Sequence, residues 1–149
     1  MMYWLIDKLV KNEKWTKLGK YMEPEIKYVN EHELPLYVGG ICYYEFFGCK
    51  ILIKSKYKSD TGISSHELAH ARQYGRLWWL HSGLRMISAK YKLLIELECY
   101  REQIQKYNYN TKAQYEWIIK ALHEKYNLKL EKDYIRKYVD YVFKDLIKV

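Results

Sequence analysis

The chain has 149 residues, 49% of them hydrophobic and 30% charged, with only 2 Pro and 7 Gly. This fits one folded domain and excludes a disordered or loop-rich chain. A mean hydropathy of -0.49 and no apolar run of 18 residues exclude a membrane-spanning helix. Lys and Arg number 26 against 18 Asp and Glu, a net charge of +8. The excess is mostly Lys in no dense run, which reads as solvated surface, so no nucleic-acid partner is expected.

The N-terminal segment carries Tyr3, Leu5, Ile6, Leu9 and Val10 at amphipathic helical spacing, fading through Trp15 to Gly19. Asp7 interrupts the apolar stretch and no basic segment precedes it, so no signal peptide is expected. Three cysteines, Cys42, Cys49 and Cys99, with no CxxC spacing, do not form a secreted disulfide framework. A reducing, cytoplasmic setting follows as the expectation.

Pro24 and Pro35 bracket a stretch that reads as irregular. Tyr37-Val38, Gly39-Gly40 and Ile41–Phe47 read as strand, turn and strand. Gly48 punctuates that run, and Lys50–Lys54 reads as a further short strand. A small antiparallel sheet is therefore expected, followed by a polar loop over Ser55–Thr61. From there the pattern is helical. One helix is predicted from Ile63 to Tyr74 with Gly75 just past its end, and Leu77–Ser88 fits helix or loop. A second helix runs from Ile87 to about Tyr107, with Asn108–Asn110 as a turn. Thr111 and Gln114 form a capping-box pattern for a third helix that buries Tyr115, Ile118, Ile119 and Leu122. A last helix buries Tyr134, Ile135, Tyr138, Val139, Val142, Phe143 and Leu146. The fold class is α+β, mostly helical, with the sheet beside the helix that carries the chemistry.

That helix holds Ser64-Ser65-His66-Glu67-Leu68-Ala69-His70-Ala71-Arg72-Gln73, an HExxH pattern. Residues i and i+4 stand one above the other on a helix face, so His66 and His70 can bind one Zn²⁺. Glu67 flanks the same face without being a ligand. It is placed to take a proton from a water activated by the metal and return it to a leaving amine. From the composition the pattern arises by chance in about 0.01 of such chains.

A catalytic zinc usually takes three protein ligands. The metzincin pattern needs His at position 76 and Gly at 73, where this chain has Arg76 and Gln73, so that class is excluded. A later helix carries Glu96-Leu97-Glu98-Cys99-Tyr100. With that segment, the chain resembles the gluzincin-type zinc metallopeptidases, whose third ligand opens an E-x-E-A or E-x-x-A-D motif. The resemblance implies Glu96 as third ligand, with Cys99 at the small-residue position, and implies hydrolysis of a peptide or protein substrate. Glu98 lies about 200° further round the helix and cannot share that role. Where several gluzincins have a histidine-orienting Asp, this chain has Tyr100, which orients a ligand, faces the substrate or packs in the core. Gln73, one turn past His70, lines the cleft or makes surface contacts.

His81 is the alternative ligand. SprT-like metalloproteases also take a third His after an HExxHA start, although His81 here stands between Leu80 and Ser82 rather than glycines. His32 and His123 have no partner spacing. Ile51-Leu52-Ile53, flanked by Lys50 and Lys54, is the expected edge strand for a substrate added by strand pairing. Trp78 and Trp79 read as core, or as a specificity pocket or membrane-facing patch. Two other readings stay open. One is a regulatory protease resembling the ImmA/IrrE group, which cleaves one dedicated protein. The other is a non-catalytic basic helical module with a structural or vestigial metal site. The oligomeric state is left open.

Overall fold

The computed structural model describes residues 24–45, 48–77, 79–107 and 112–146, with backbone alone for residues 76, 77, 79 and 80. In chain order come strand β1 (Glu25–Val29), a 3-10 turn (Glu31–Glu33), strands β2 (Gly40–Glu45) and β3 (Gly48–Lys54), and a second 3-10 turn (Ser55–Tyr57). Five helices follow: α1 (Thr61–Leu77), α2 (Trp79–Ile87), α3 (Ala89–Lys106), α4 (Lys112–Glu124) and α5 (Lys132–Phe143). The architecture is α+β and mostly helical, as expected. The predicted helix at Tyr3–Val10, Phe46, Phe47, Trp78, the turn at 108–110 and the Thr111 cap lie outside the described residues.

The sheet is mixed rather than antiparallel. Its order is β1-β3-β2, with β1 parallel to β3 and β2 antiparallel to it. The stretch after Pro24, expected to be irregular, contains β1. Pro is tolerated at a strand's start, and an edge strand with a solvated face carries little hydrophobic signal. Glu25 to Tyr28 are indeed exposed and only Val29 is buried. The strand expected around Tyr37-Val38 is instead a turn leading into β2.

The expected edge strand is also corrected. β3 is central, because both neighbours pair with it. Cys49, Ile51 and Ile53 are buried against α1 with Cys42, Ala71 and Tyr74. Lys54, read as an edge charge, is only 1% exposed. Its ammonium donates to the carbonyls of Pro35 at 2.7 Å and Leu36 at 3.3 Å, so a buried charge closes the turn before β2. Among the described residues β2 is the edge strand nearest α1.

Helix α1 starts earlier and runs further than the sequence pattern implies. Asp60 caps it: Oδ1 accepts from the amides of Gly62 at 2.9 Å and Ile63 at 3.0 Å, satisfying two amides that a helix start leaves unpaired. Gly75 does not end it. Tyr74 stacks on Tyr44 at 4.9 Å and donates to the Glu45 carbonyl at 2.6 Å, and this packing outweighs the roughly 1 kcal/mol cost of a helical glycine. The ambiguous Leu77–Ser88 segment is mainly helix α2, which includes Ile87. Ser88 then caps α3, accepting from the Tyr91 amide at 3.1 Å.

A second core joins α3, α4 and α5, with Leu97, Ile118, Leu122, Ile135, Val139 and Phe143 fully or almost fully buried. Helix α3 therefore faces two ways. One side packs into this helical core and the other against α1, so the α1–α3 seam is fixed from both flanks.

At Gly62 a Cβ would lie 2.5 Å from the Tyr107 ring, whereas at Gly48 nothing lies within 4 Å. Tyr107 is held by Asp60 and Gln103, so its ring cannot yield without breaking those bonds. Gly62→Ala is expected to lower stability by about 1–2 kcal/mol in urea unfolding, despite the gain in helix propensity. Gly48→Ala should stay within about 0.5 kcal/mol of wild type, and a Tyr107→Ala background should remove the penalty at position 62.

Candidate metal and catalytic site

The seam between α1 and α3 brings together the residues singled out from the sequence. His66, Glu67 and His70 from α1 and Glu96 from α3 are all buried. The two imidazoles meet edge to face, with centroids 5.1 Å apart. Both present Nε2 to one oxygen of Glu96: Oε2 lies 3.6 Å from His66 and 3.3 Å from His70. That oxygen nonetheless has no hydrogen bond.

The reason lies behind the rings. Gln73 donates its amide to the Ile95 carbonyl at 2.9 Å and to Glu98 at 2.8 Å, so its Oε1 must be the atom facing His70 Nδ1, at 3.1 Å. His70 Nδ1 is therefore a donor. Gln103 Oε1 meets His66 Nδ1 at 3.0 Å in the same way. With protons on both Nδ1 atoms, neutral imidazoles turn bare Nε2 lone pairs toward a carboxylate lone pair. In that neutral state three acceptors converge with no donor between them, an arrangement relieved by positive charge, whether a proton on His70 or a metal ion.

The titration behaviour agrees. Burial works to raise the Glu96 pKa, but His70 and His66 outweigh it and hold the carboxyl well below its usual range. Burial works to lower the His70 pKa, but Cys99 and Glu96 reverse this and hold it well above the ordinary imidazole value. Glu67 is shifted the other way. Burial raises its pKa, only partly opposed by His66 and His70.

Cys99 is closer to the site than the sequence suggests. Its thiol is 3.3 Å from His70 Nδ1, and His66, His70 and Cys99 offer donor atoms within 4.8 Å of one another. This buried group could hold a metal ion. Burial pushes the Cys99 pKa up to about 12, so the neutral thiol lies beside the outward nitrogen of His70 rather than the Nε2 that faces Glu96.

The remaining candidates take distinct places. Gln73 is buried behind His70. Glu98 lies away from the Nε2 atoms and anchors Gln73. Tyr100 packs its ring edge to face on His66 at 4.7 Å, and its hydroxyl meets that of Tyr126 at 2.9 Å. It buttresses His66 without a hydrogen bond to it. His81 is fully buried, with Nδ1 2.8 Å from the Tyr91 hydroxyl and Nε2 3.3 Å from that of Tyr44. Burial, with Arg85 and His70, lowers its pKa to about 3. The alternative ligand is thus occupied on both nitrogens. His32 is exposed, and His123, also exposed, meets the Leu130 carbonyl at 3.2 Å.

Three contributors escape sequence reasoning. Gln103 stands seven residues past Glu96, two turns along the same helix face, and that spacing is the only local signal. Its amide donates to Tyr107 at 3.2 Å, and Tyr107 donates to Asp60 at 3.1 Å. The His66 orientation is thereby tied to the cap of its own helix. Arg85 and Tyr44 reach the site only through tertiary packing.

A cleft of about 620 Å³ opens over these residues. Gly39 to Cys42 form one side, and Tyr100, Tyr107, Trp117 and Tyr126 line it as well. Gly40 leaves Glu67 its place there, because a Cβ would press to 3.0 Å from Glu67 Cγ and 3.3 Å from its Oε1, so that the side chain would have to shift. In comparisons with known protein families, curated proteins and solved structures, nothing matches this chain. Among the described residues no helix is long and apolar enough to cross a membrane.

Adding Zn²⁺ to metal-free protein should raise the thermal midpoint, since a ligand present at about 100 times its Kd stabilises the folded state by roughly 2.7 kcal/mol. His70→Ala should abolish the shift, as read by differential scanning fluorimetry with and without metal.

Proposed function

We propose that this chain is a zinc-dependent peptidase of the gluzincin type. His66, His70 and Glu96 would hold the metal, and Glu67 would act as general base and acid. The observation that carries the reading is the hydrogen-bond-free Oε2 of Glu96 facing two imidazole Nε2 atoms. A buried acceptor left unpaired costs about 1–3 kcal/mol, and a divalent cation shared by the three removes that cost. The donor set, two imidazoles and a carboxylate, suits a catalytic zinc that keeps a coordination position open.

A bound zinc ion would supply Lewis acidity, polarising a peptide carbonyl and making a nearby water more acidic. The chain's own residues do the rest. Gln73 and Gln103 hold the imidazole tautomers. The Glu67 carboxylate borders the cleft, and its raised pKa helps it take the water's proton and pass it to the departing amine. Burial keeps that carboxylate poorly solvated, which strengthens it as a base.

For the substrate, β2 replaces the central β3 as the binding strand. Its Gly40–Cys42 portion borders the cleft, and a peptide added along it as a further strand would lie across Glu67. The glycines leave room for a main chain to approach closely. A net charge of +8 adds a bias toward acidic substrates.

A second reading rests on Cys99. If the thiol entered the coordination with both histidines, the site would close and serve structure rather than hydrolysis. Glu67 in the cleft and the position of Cys99 on the outer side of His70 favour the first reading.

The test is Glu67→Gln. Wild type and variant should bind the same amount of zinc, while cleavage of an unfolded protein substrate falls by about 10²–10⁴ in the variant. Equal cleavage by both would refute the assigned base. A zinc-loaded wild type that cleaves no unfolded protein would favour the structural site.

A further inference from the structure

Outside the donor set, the side chain that reaches Glu96 from a third helix is Arg85. It projects from α2 toward α3, and its two terminal nitrogens do different things. NH1 donates to the Tyr44 hydroxyl at 2.7 Å, and NH2 donates to Glu96 Oε1 at 3.4 Å. The Arg85 side chain is only about a quarter exposed, and Glu96 is almost fully buried. The contact therefore lies largely out of water, where a charge-assisted bond is poorly screened.

The two oxygens of Glu96 are thus divided. Oε1 is taken by Arg85, and Oε2 is left to the histidine pair. A carboxylate on a flexible two-carbon stem can turn either oxygen, or both, toward a cation. A guanidinium fixed on one oxygen selects a single rotamer. We propose that Arg85 is a positioning residue that orients Glu96 so that Oε2 alone meets His66 and His70, with Tyr44 holding the guanidinium in place. The proposal rests on the reading of Glu96 as a metal ligand.

What holds Arg85 is itself fixed. Because Arg85 donates to the Tyr44 oxygen, the Tyr44 proton is free to point at His81 Nε2, 3.3 Å away. His81 Nδ1 then donates to the Tyr91 hydroxyl at 2.8 Å. The bonds run in one consistent direction, with each hydroxyl both accepting and donating where a partner is in reach. The Tyr44 ring is stacked on Tyr74, and the guanidinium lies 5.4 Å from the Tyr44 ring centroid. This explains the buried His81 without making it a ligand: it is a link, between Tyr44 and Tyr91, in the chain of bonds that fixes Arg85. It also links β2, the strand proposed to receive substrate, to the carboxylate proposed to hold the metal.

The experiment measures Zn²⁺ affinity by competition with a chromophoric chelator for wild type, Arg85→Gln, Arg85→Lys and Tyr44→Phe. Urea unfolding of each metal-free protein serves as the control for fold. Loss of a group that orients a ligand typically costs 10–100-fold in metal affinity, and that loss is expected for Arg85→Gln. Arg85→Lys should fall between wild type and Gln, since a single ammonium cannot hold Tyr44 and Glu96 in a fork. Tyr44→Phe keeps the stacked ring and should weaken binding in the same direction. The Arg85→Gln/Tyr44→Phe double variant should bind no more weakly than Arg85→Gln alone, because the two act in series. If Arg85→Gln does not fold, Arg85→Lys and Tyr44→Phe carry the same comparison.

Wild-type affinity in the Arg85 and Tyr44 variants would overturn the positioning role while leaving the metal reading intact. So would lower metal-free stability with unchanged affinity, since that marks packing alone. A wild type that binds no Zn²⁺ would overturn both.

Discussion

The Glu96 carboxylate is buried between two helices with one oxygen turned toward two imidazoles, and much of the surrounding structure is organised by that fact. Burying an ionised carboxylate is costly unless its oxygens find partners. Arg85 satisfies one oxygen from α2. The other faces His66 and His70 on α1, whose outward nitrogens are tied to Gln73 and Gln103. Each of these partners is supported in turn: Gln73 by Glu98 and the α3 backbone, Gln103 by Tyr107 and the Asp60 cap, and Arg85 by Tyr44. Contacts from α1 and α2 therefore converge on one side chain, and residues of α3 and β2 brace them. The proposed metal is what would neutralise the remaining convergence of lone pairs.

Five of the chain's 17 tyrosines border the same cleft. Tyr37, Tyr57, Tyr100, Tyr107 and Tyr126 all line it. Their rings supply an apolar wall, while the hydroxyls of Tyr100, Tyr107 and Tyr126 are used in bonds to one another or to Gln103 and Asp60. Lysine is distributed differently. Most of it is solvated surface, but Lys54 is buried, where it closes the turn leading into β2.

The parts of the site that could be read from the sequence are those carried by one helix. His66, Glu67 and His70 share a face within about one turn, so spacing alone predicts their convergence. Glu96 follows only from a resemblance, yet the structure brings it to both histidines. Gln73 was legible as a position and not as a role, because its orientation depends on Ile95 and Glu98, more than 20 residues away. Arg85 and Tyr44 had no local signal at all, and Cys99 read merely as a small residue. In the fold, the last three helices followed from apolar periodicity and caps, whereas α2 did not stand out from loop. The sheet order did not, because which strand lies in the middle is decided by pairings across the chain. β1 hid because four of its five residues face solvent, and Gly75 misled because the packing of Tyr74 outweighs a local breaker.

Zinc-edge X-ray absorption of the loaded protein tests the proposed centre most directly, since it reads the ligand atoms themselves. Coordination by His66, His70 and Glu96 predicts a shell of nitrogen and oxygen only, at about 2.0–2.2 Å, with no sulfur. A scatterer at about 2.3 Å would place the Cys99 thiolate on the metal and contradict the assignment of Glu96 as the third ligand.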